Sequence, residues 1–466
     1  MVAFSPLEES VLGEIRPRDD EKNHIRTVAR KLVHAINETG LATGMIVGSV
    51  ARDTWIRGDR DLDIFLLFPA NLPREELQAV GLDLARRVAD ASGGVSREKY
   101  AEHPYIHASL EGLDVDLVPC YDVPDPSAIQ SAVDRTPFHT RYIKDHILPY
   151  IDDVLLLKQF TKSGGIYGSD QMTEGFSGYL CELLILHYRG FHSLVRAAAD
   201  WKPGFLVDIQ DHRVKTFHEP MVVIDPVDPG RNVAAAVSLS RMCEFIELCR
   251  GYLEKPGPAF FSPARPGSYT FEEFESVIRE RNTAFYSVVF QTPPYIEEIV
   301  VPQLRKSMHA MVSLLSRHEF VVNRASYCMH SEKCMVLFEL LVDSLPPVQR
   351  HFGPPVWSRE NSTRFLSKYQ DGRDKGEVFS GPYIENGIYV VEVPRRYHVA
   401  GELLSSPELL EIGLGRHVRC AIGESREIQN GAGCWDEEFS GFLTEFLSQV
   451  SPLTSTRSRM APGRNQ

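Results

Sequence analysis

The sequence predicts a multidomain α+β protein, and three observations lead to this fold class. The chain has 466 residues, which is more than one compact core accommodates, so two to four domains are expected. Of these residues 43% are hydrophobic and 24% are charged, a globular composition that excludes a mainly disordered chain. Segments with helical spacing of apolar residues occur together with short apolar runs that are typical of strands. Both helices and sheets are therefore expected.

The first 120 residues combine helices with strands. Residues 19–39 place Ile25, Val28 and Leu32 at helical spacing, which predicts an amphipathic helix. Residues 73–90 predict a second helix, with a proline near its first turn. Short apolar runs predict strands at 45–47, 61–68, 94–99, 105–110 and 114–120.

The stretch GSVARDTWIRGDRDLDIFLLFP, residues 48–69, contains the strongest chemical pattern. Asp61 and Asp63 begin a predicted strand with one residue between them, so their carboxylates point to the same face. A hard divalent cation such as Mg²⁺ relieves the repulsion of two charges at this spacing. Gly48-Ser49, before a short helical segment, offers a hydroxyl and backbone N–H groups to a phosphate. The pattern predicts a site for a metal-bridged nucleoside triphosphate; the alternative is an ordinary helix start beside a solvated strand end.

Charge, cysteine content and hydropathy bear on partners and compartment. The formal net charge of -13 counts mildly against nucleic acid as a partner, but it is compatible with a local basic groove. The eight cysteines form no CxxC pair and no zinc-type spacing, which predicts a reduced, cytoplasmic protein. The N-terminal residues lack the apolar segment of a signal peptide, and we expect no membrane span.

The middle of the chain is predicted to be mainly helical. Residues 131–147 are expected to form a polar link, with a turn at Thr136-Pro137 before the next helix. Two helices are predicted within 151–190, and a further helix is predicted to open at Arg231 and to run to about residue 253. Between them lie two short strand-like patches, at 205–208 and 221–224. Residues 255–258, Lys-Pro-Gly-Pro, predict a linker and a domain boundary.

The last part of the chain is predicted to hold an α+β module. A strand at 284–291 is followed by a helix at 297–317 and by strands at 319–327 and 334–341, an order that predicts a ferredoxin-like or RRM-like fold. The aromatic residues between 379 and 397 would either present exposed rings for stacking or form a core. A final amphipathic helix is predicted at 435–450, and a flexible tail from residue 451.

Several long blocks resemble one family. Residues 48–69 are similar to the signature of the DNA polymerase β nucleotidyltransferase superfamily, and more narrowly to class I, archaeal-type CCA-adding tRNA nucleotidyltransferases. The resemblance is dense from about residue 20 to about residue 250, and matching blocks in one order are more specific than a single motif. The other blocks are REKYAEHPYIHASL (97–110), DVDLVPCYDV (114–123), SAVDRTPFHTRYI (131–143), LLKQFTKSGGIYG (156–168), GFSGYLCELLILHY (175–188) and DPVDPGRNVAAAVSLS (225–240).

The resemblance implies an organisation and an activity. It implies a polymerase β-like head at 1–145, a mostly helical neck at 146–257, an α+β body with a small tail at 258–450, and a flexible end at 451–466. The implied reaction is template-independent addition of C, C and A to the 3′ end of tRNA from CTP and ATP, with two Mg²⁺ ions. The implied partners are the acceptor stem and T-arm of tRNA, and the implied assembly is a homodimer.

The resemblance also assigns site residues. Asp116 matches the third catalytic carboxylate, so Asp61, Asp63 and Asp116 would hold the two ions. The family often has Glu at the position of Asp61, and Asp keeps the charge with one methylene less. The residues assigned to the nucleotide are Ser49, Arg52, Thr136, His139, Lys158, Tyr167 and Arg231.

These nucleotide contacts differ in their implied targets. Ser49 and Arg52 would hold the β- and γ-phosphates, and Lys158 and Tyr167 would contact the triphosphate. His139, in the segment opened by Thr136, would contact the ribose or phosphate side, and Arg231 would contact the base edge. Alternatives remain: His139 could cap a helix, Tyr167 could pack in the neck, and Tyr105 and His107 could be either site residues or a core pair.

Two other functions stay open. A poly(A)-type or oligoadenylate synthase-like nucleotidyltransferase would use the same carboxylates with a different product. A non-catalytic RNA-binding protein could also use this scaffold, but the presence of all three carboxylates disfavours it.

Overall fold

The computed structural model describes residues 3–100, 104–263, 267–370 and 378–460. The chain divides into two compact units, the first formed by Met1–Arg265 with Val450–Gln466 and the second by Pro266–Gln449. No helix in these described ranges combines the length and the apolar character that crossing a membrane requires.

The N-terminal half of the first unit is built on a mixed five-stranded sheet with the order β1-β2-β5-β4-β3. Strands β2 and β5 are parallel, and the other pairs are antiparallel. The elements are α1 (Pro6–Ile15), α2 (Asp19–Glu38), β1 (Thr43–Ile46), α3 (Gly48–Arg52), β2 (Asp61–Pro69), α4 (Arg74–Ala91), β3 (Val95–Tyr100), β4 (Pro104–Leu110) and β5 (Leu113–Asp122).

Strand β2 separates two layers because its side chains alternate. Leu62, Ile64 and Leu66 are fully buried and pack with α2 and α4 in one core cluster. Phe65 and Leu67 belong to a different cluster on the other face. Asp61 and Asp63 share the parity of Phe65, so they lie on the face opposite α2 and α4. The strand and both helices confirm the sequence predictions for this region.

The remainder of the first unit is mainly helical and has its own core, to which α6, α7, α8 and α9 all contribute. The elements are α5 (Thr136–Ile147), α6 (Ile151–Ser163), α7 (Gly178–Tyr188), α8 (Phe191–Ala198), β6 (Phe205–Val207), β7 (Met221–Val223) and α9 (Leu239–Glu254). The two strand-like patches are confirmed as β6 and β7, which pair in parallel.

Two local predictions for this region are wrong. The expected polar link is mostly helix α5, which begins at Thr136 and accommodates Pro137 in its first turn, where a missing N–H costs no helical hydrogen bond. The helix predicted from Arg231 begins at Leu239 instead, with Ser238 as its N-cap. The Asn232 side chain accepts from the Val223 N–H at 2.9 Å and donates to the Met221 carbonyl at 3.0 Å, so this segment is tied to β7.

The second unit confirms the predicted ferredoxin-like module. Its main sheet has the order β14-β8-β10-β9, and every neighbouring pair is antiparallel. A three-stranded sheet, β11-β13-β12, is inserted between β10 and β14. The elements are α10 (Phe271–Arg281), β8 (Ala284–Gln291), α11 (Glu297–Arg317), β9 (Val322–Met329), β10 (Lys333–Leu340), β11 (Val348–Pro355), α12 (Arg359–Tyr369), β12 (Ser380–Glu385), β13 (Ile388–Pro394), α13 (Ala400–Ser405), α14 (Glu408–Glu411), α15 (Arg416–Ser425), β14 (Glu427–Asn430) and α16 (Ser440–Leu447).

The C-terminal segment differs from the predicted flexible tail. Residues Pro452–Met460 form helix α17, and Leu453 is 6% exposed in the core of the first unit. A Cβ atom at Gly251 of α9 would lie 2.1 Å from Leu453 Cδ1, so the two helices are in close contact. Residues 461–466, the rest of the predicted tail, lie outside the described residues.

The predicted boundary at 255–258 lies inside the first unit. Phe260 and Phe261 are buried in the same core as α6 and α9, so the chain remains part of this unit beyond the Pro-Gly-Pro sequence. The four-domain division stays a prediction.

Candidate active site

The parallel pairing of β2 and β5 brings four carboxylates together. Asp61 lies opposite Asp114, and Asp63 lies opposite Asp116. Burial raises the pKa of Asp63 to about 6, and the charge of Asp116 adds to the effect. Burial, followed by the charges of Asp59, Asp114 and Asp116, also raises the pKa of Asp61. A divalent cation would relieve this crowding of negative charge.

The chemistry of these side chains fits Mg²⁺, which prefers carboxylate oxygens. In the described part of the chain, no group of three or more His, Cys, Asp or Glu side chains is already arranged so that it could hold a metal ion. The fit therefore rests on the type of donor and on the raised pKa values of the two β2 carboxylates.

His107 holds one of the predicted metal ligands. It lies on β4 directly opposite Asp116, and its Nδ1 is 2.7 Å from Asp116 Oδ1. Its Nε2 is 3.6 Å from Asp114 Oδ1. Of the two interpretations left open by the sequence, the structure therefore places His107 at the carboxylate site.

The Gly48-Ser49 turn is packed directly against the acidic pair. Gly48 has a φ of +69°, and a Cβ atom there would lie 2.1 Å from Asp63 Oδ2. The position therefore requires glycine both for its backbone conformation and for space. Ser49 follows in the first turn of α3, where its phosphate contact stays a prediction.

Arg52, at the end of α3, forms an ion pair with a buried glutamate. Its Nε donates to Glu182 Oε1 at 3.0 Å, and its Nη1 donates to Thr140 Oγ1 at 3.4 Å. Glu182 is fully buried in α7, and its Oε2 has no hydrogen-bond partner in the described structure. The sequence analysis missed Glu182, although a single charge in the apolar run YLCELLIL is an available signal.

The side chains of Lys158 and Tyr167 both lie beside Gly178, at the start of α7. Lys158 is 2% exposed, its Nζ donates to the Thr54 carbonyl at 2.7 Å, and burial lowers its pKa. A Cβ atom at Gly178 would lie 3.0 Å from Tyr167 Oη and 3.3 Å from Lys158 Nζ. Burial, followed by nearby charges that include Asp59 and Asp61, raises the pKa of Tyr167. Their contact with a triphosphate stays a prediction.

His139 and Arg231 converge on a carboxylate that the sequence analysis did not single out, Asp225. His139 Nε2 and Arg231 Nη1 each lie 2.8 Å from Asp225 Oδ2, and Tyr179 Oη donates to Oδ1 at 3.2 Å. Burial alone would raise the pKa of Asp225, but the hydrogen bond and charge of His139, with further donors, hold it well below its usual range. Asp225 thus fixes the positions of His139 and Arg231, the two side chains that are predicted to bind the nucleotide.

A cavity of about 760 Å³ opens beside this network, a size suited to a small-molecule ligand. Four of the predicted site residues line it: Arg52, Thr136, His139 and Arg231. Gly48 also lines it and connects it to the carboxylates through its contact with Asp63. The lining also includes Arg135, Tyr179, Lys215, Phe217, Glu219, Asp228 and Asn232, which the sequence analysis did not identify.

Three family models match successive parts of the chain. Residues 30–139 match the nucleotidyltransferase domain, residues 152–262 match the second domain of tRNA nucleotidyltransferases, and residues 281–431 match the C-terminal domain of the CCA-adding enzyme. A CCA-adding enzyme of Methanoregula boonei is 56% identical over 460 residues, which are 98% of this chain and 99% of that protein. The chain belongs to the family of archaeal CCA-adding enzymes.

Other family members are similar over nearly the whole chain. The CCA-adding enzyme of Methanosarcina mazei is 41% identical over 95% of this chain and 98% of its own length.

Among solved structures, an ATP complex of CdnC from E. coli MS115-1 has a TM-score of 0.43 at 17% identity, over 55% of this chain and 92% of that one. A Cid1 poly(U) polymerase structure has a TM-score of 0.42 at 18% identity, over 55% of this chain and 98% of its own.

Proposed function

We propose that this chain is a template-independent tRNA nucleotidyltransferase that adds or repairs the 3′-terminal CCA of tRNA, using CTP and ATP and releasing pyrophosphate. The observation that carries this proposal is the 56% identity to a CCA-adding enzyme over 98% of the chain. The arrangement of carboxylates beside a nucleotide-sized cavity supports the same reaction.

The proposed reaction centre is the acidic face of β2 and β5. Asp61 and Asp63 would hold both Mg²⁺ ions, and Asp116 would hold the ion on the side of the RNA 3′-hydroxyl. When bound, the ions supply Lewis-acid activation of that hydroxyl and neutralise charge on the leaving pyrophosphate. Gly48 keeps the turn close to Asp63, which would bring the phosphates to the carboxylates. The number of ions, two, is part of the proposal.

The proposed nucleotide site is the cavity lined by Arg231, His139 and Thr136. Asp225 holds the guanidinium of Arg231 in place, so that its remaining donors can contact the edge of cytosine or adenine. His139 would lie on the ribose or phosphate side. Ser49 and Arg52 would contact the β- and γ-phosphates, and Lys158 and Tyr167 would contact the triphosphate.

The remaining parts of the proposal concern partners and compartment. The acceptor stem and T-arm of tRNA would be recognised mainly through backbone and shape. A homodimer and a cytoplasmic location stay predictions.

The test is a nucleotide-addition assay with a tRNA transcript that lacks its terminal CCA. We expect the wild type, with Mg²⁺, CTP and ATP, to add C, C and A and then to stop, and the Asp61→Ala variant to add nothing. A long tail of A would assign the protein to the poly(A)-type class. If the wild type adds nothing with any mixture of nucleotides, while still binding tRNA, the non-catalytic alternative holds.

A further inference from the structure

One wall of the cavity has no role in the reaction proposed above. It is formed by the connection between β6 and β7, from which Lys215, Phe217 and Glu219 line the cavity. The start of this connection is anchored, because the Asp208 carboxylate accepts from the backbone N–H groups of His212 and Arg213 at 3.0 and 2.9 Å. These hydrogen bonds fix the backbone of residues 208–213, directly before Lys215.

Of the Lys and Arg side chains that line the cavity, all but one are paired with a carboxylate. The lining also holds the Glu219 carboxylate, which accepts from the His218 N–H at 3.0 Å. Arg52 is paired with Glu182, Arg135 with Asp228 at 2.8 Å, and Arg231 with Asp225 at 2.8 Å. Within the described ranges, Lys215 has no carboxylate within 4.0 Å. Of the four Lys and Arg side chains in the lining, Lys215 is therefore the one without an ion-pair partner in the described structure.

Lys215 is presented together with an aromatic ring. Its Nζ lies 5.0 Å from the centroid of Phe217, and the Phe217 side chain is only partly buried. The other two aromatic side chains of the lining, His139 and Tyr179, already stack on each other with ring centroids 4.3 Å apart. Lys215 Nζ covers one face of Phe217, and the other face is not taken by another aromatic side chain of the lining.

An unmatched cation beside an aromatic ring suits a single-stranded nucleic acid, which offers a phosphodiester and a base face one nucleotide apart. The proposed reaction needs two ligands at once, the nucleoside triphosphate and the RNA 3′ end. The triphosphate is assigned to the wall of Gly48, Arg52 and Arg231. We propose that Lys215 and Phe217 form the subsite for the 3′ end of the RNA, with Lys215 on the last phosphodiester and Phe217 stacked on the terminal base. This inference rests on the proposed function.

The test separates RNA binding from nucleotide binding. The variants are Lys215→Ala, Phe217→Leu and the conservative Phe217→Tyr, with Lys202→Ala as the control, since Lys202 is exposed in the same unit and does not line the cavity. For each variant we measure KM for tRNA and KM for ATP during addition of A to tRNA ending in CC. We also measure the dissociation constants of a tRNA that ends before CC and of one that ends after CC.

We expect Phe217→Leu to raise KM for tRNA about tenfold, within the roughly 5- to 150-fold range that corresponds to loss of one base stack. Lys215→Ala should raise it several-fold and lower the slope of log K against log salt by about 0.7, the value for one phosphate contact on a single strand. KM for ATP should stay at the wild-type value, and Phe217→Tyr and Lys202→Ala should behave as the wild type.

A rise in KM for ATP instead of tRNA would overturn the proposal, because the wall would then belong to the nucleotide. Equal behaviour of Lys215→Ala and Lys202→Ala would overturn the phosphate contact. If the wild type adds no nucleotide, the proposed function fails, and the binding comparison still decides. The subsite requires that Lys215→Ala and Phe217→Leu bind both tRNAs more weakly than the wild type, while Phe217→Tyr and Lys202→Ala do not.

Discussion

The carboxylate of Asp63 is buried beside that of Asp116, and both circumstances favour its neutral form. Its pKa of about 6 lies above the ordinary value of 3.8. Between these two values the folded, metal-free protein binds more protons than the unfolded chain. The stability contributed by this group therefore falls as pH rises through that window, and the decrease is complete above about pH 6.

We predict that Asp63→Asn makes the metal-free protein more stable near neutral pH, by on the order of 1–3 kcal/mol, while abolishing nucleotide addition. The amide removes a buried charge that the carboxylates of Asp116 and Asp61 repel. Denaturant unfolding with EDTA at about pH 5 and about pH 7.5 measures the effect. The difference between variant and wild type should shrink at the lower pH and on addition of Mg²⁺; a variant that is less stable at both pH values would contradict the account.

His107 is expected to orient Asp116 rather than to take part in the chemistry itself. Its Nδ1 is 2.7 Å from Asp116 Oδ1, and loss of such a partner of a metal ligand typically costs 10- to 100-fold in metal affinity or activity. We predict that His107→Ala raises the Mg²⁺ concentration for half-maximal activity by roughly tenfold, with little change in KM for tRNA. His107→Asn keeps a donor near Asp116 and should recover part of the loss. An unchanged Mg²⁺ requirement in His107→Ala would exclude this role.

At the scale of elements, one buried glutamate connects α10 to β9 and β10. Glu339 is fully buried and accepts hydrogen bonds from Arg281, Thr283, Asn323 and Arg324 at 2.7 to 3.1 Å. Burial alone would raise its pKa, but these donors lower it to about 2. The stability that Glu339 contributes is therefore present above its unfolded pKa near 4.5 and is lost as pH falls towards 2.

We predict that Glu339→Gln destabilises the second unit by about 3–5 kcal/mol near neutral pH, because it leaves two arginines without their buried counter-charge. The variant should also lose much of the stability change between about pH 4.5 and about pH 2. Glu280→Gln, at an exposed position of the same helix, is the matched control and should change little. Equal destabilisation by both variants would contradict the assignment.

At the scale of the whole molecule, the two units have separate hydrophobic cores. The clusters of the head sheet and of α6 to α9 lie in the first unit, and those around β8 and β10 lie in the second. Helix α17 belongs to the first unit although it follows the second in sequence. Both ends of the chain therefore contribute to one unit.

We predict that unfolding shows two transitions, each sensitive to a different variant. Leu453→Ala removes a buried side chain from the first unit and should lower the stability of one transition by about 2–5 kcal/mol. Glu339→Gln should shift the other transition. Differential scanning calorimetry of both variants and of their combination tests this; one common transition shifted by either variant would show that the units unfold together.

Local patterns predicted much of the fold. The alternation of apolar residues after Asp61 placed both carboxylates on one face, and strand 284–291 and helix 297–317 were predicted with the bounds that the structure shows. The predicted start of α9 is wrong because the Asn232 side chain forms hydrogen bonds with β7. The spacing of apolar residues does not reveal these hydrogen bonds. The net charge of -13 did not decide the partner, since it says nothing of where cations lie.

The sequence by itself determined the family, the acidic pair and the order of elements, because these depend on contiguous blocks and on side-chain periodicity. Only the tertiary structure decided which groups hold the predicted nucleotide-binding side chains in place. Asp225 contacts His139, which is 86 residues away in sequence, and Glu182 contacts Arg52, which is 130 residues away. Lys215 and Phe217 also reach the cavity only in the folded chain. Contacts between such distant residues leave no local pattern, since they depend on how helices and strands pack.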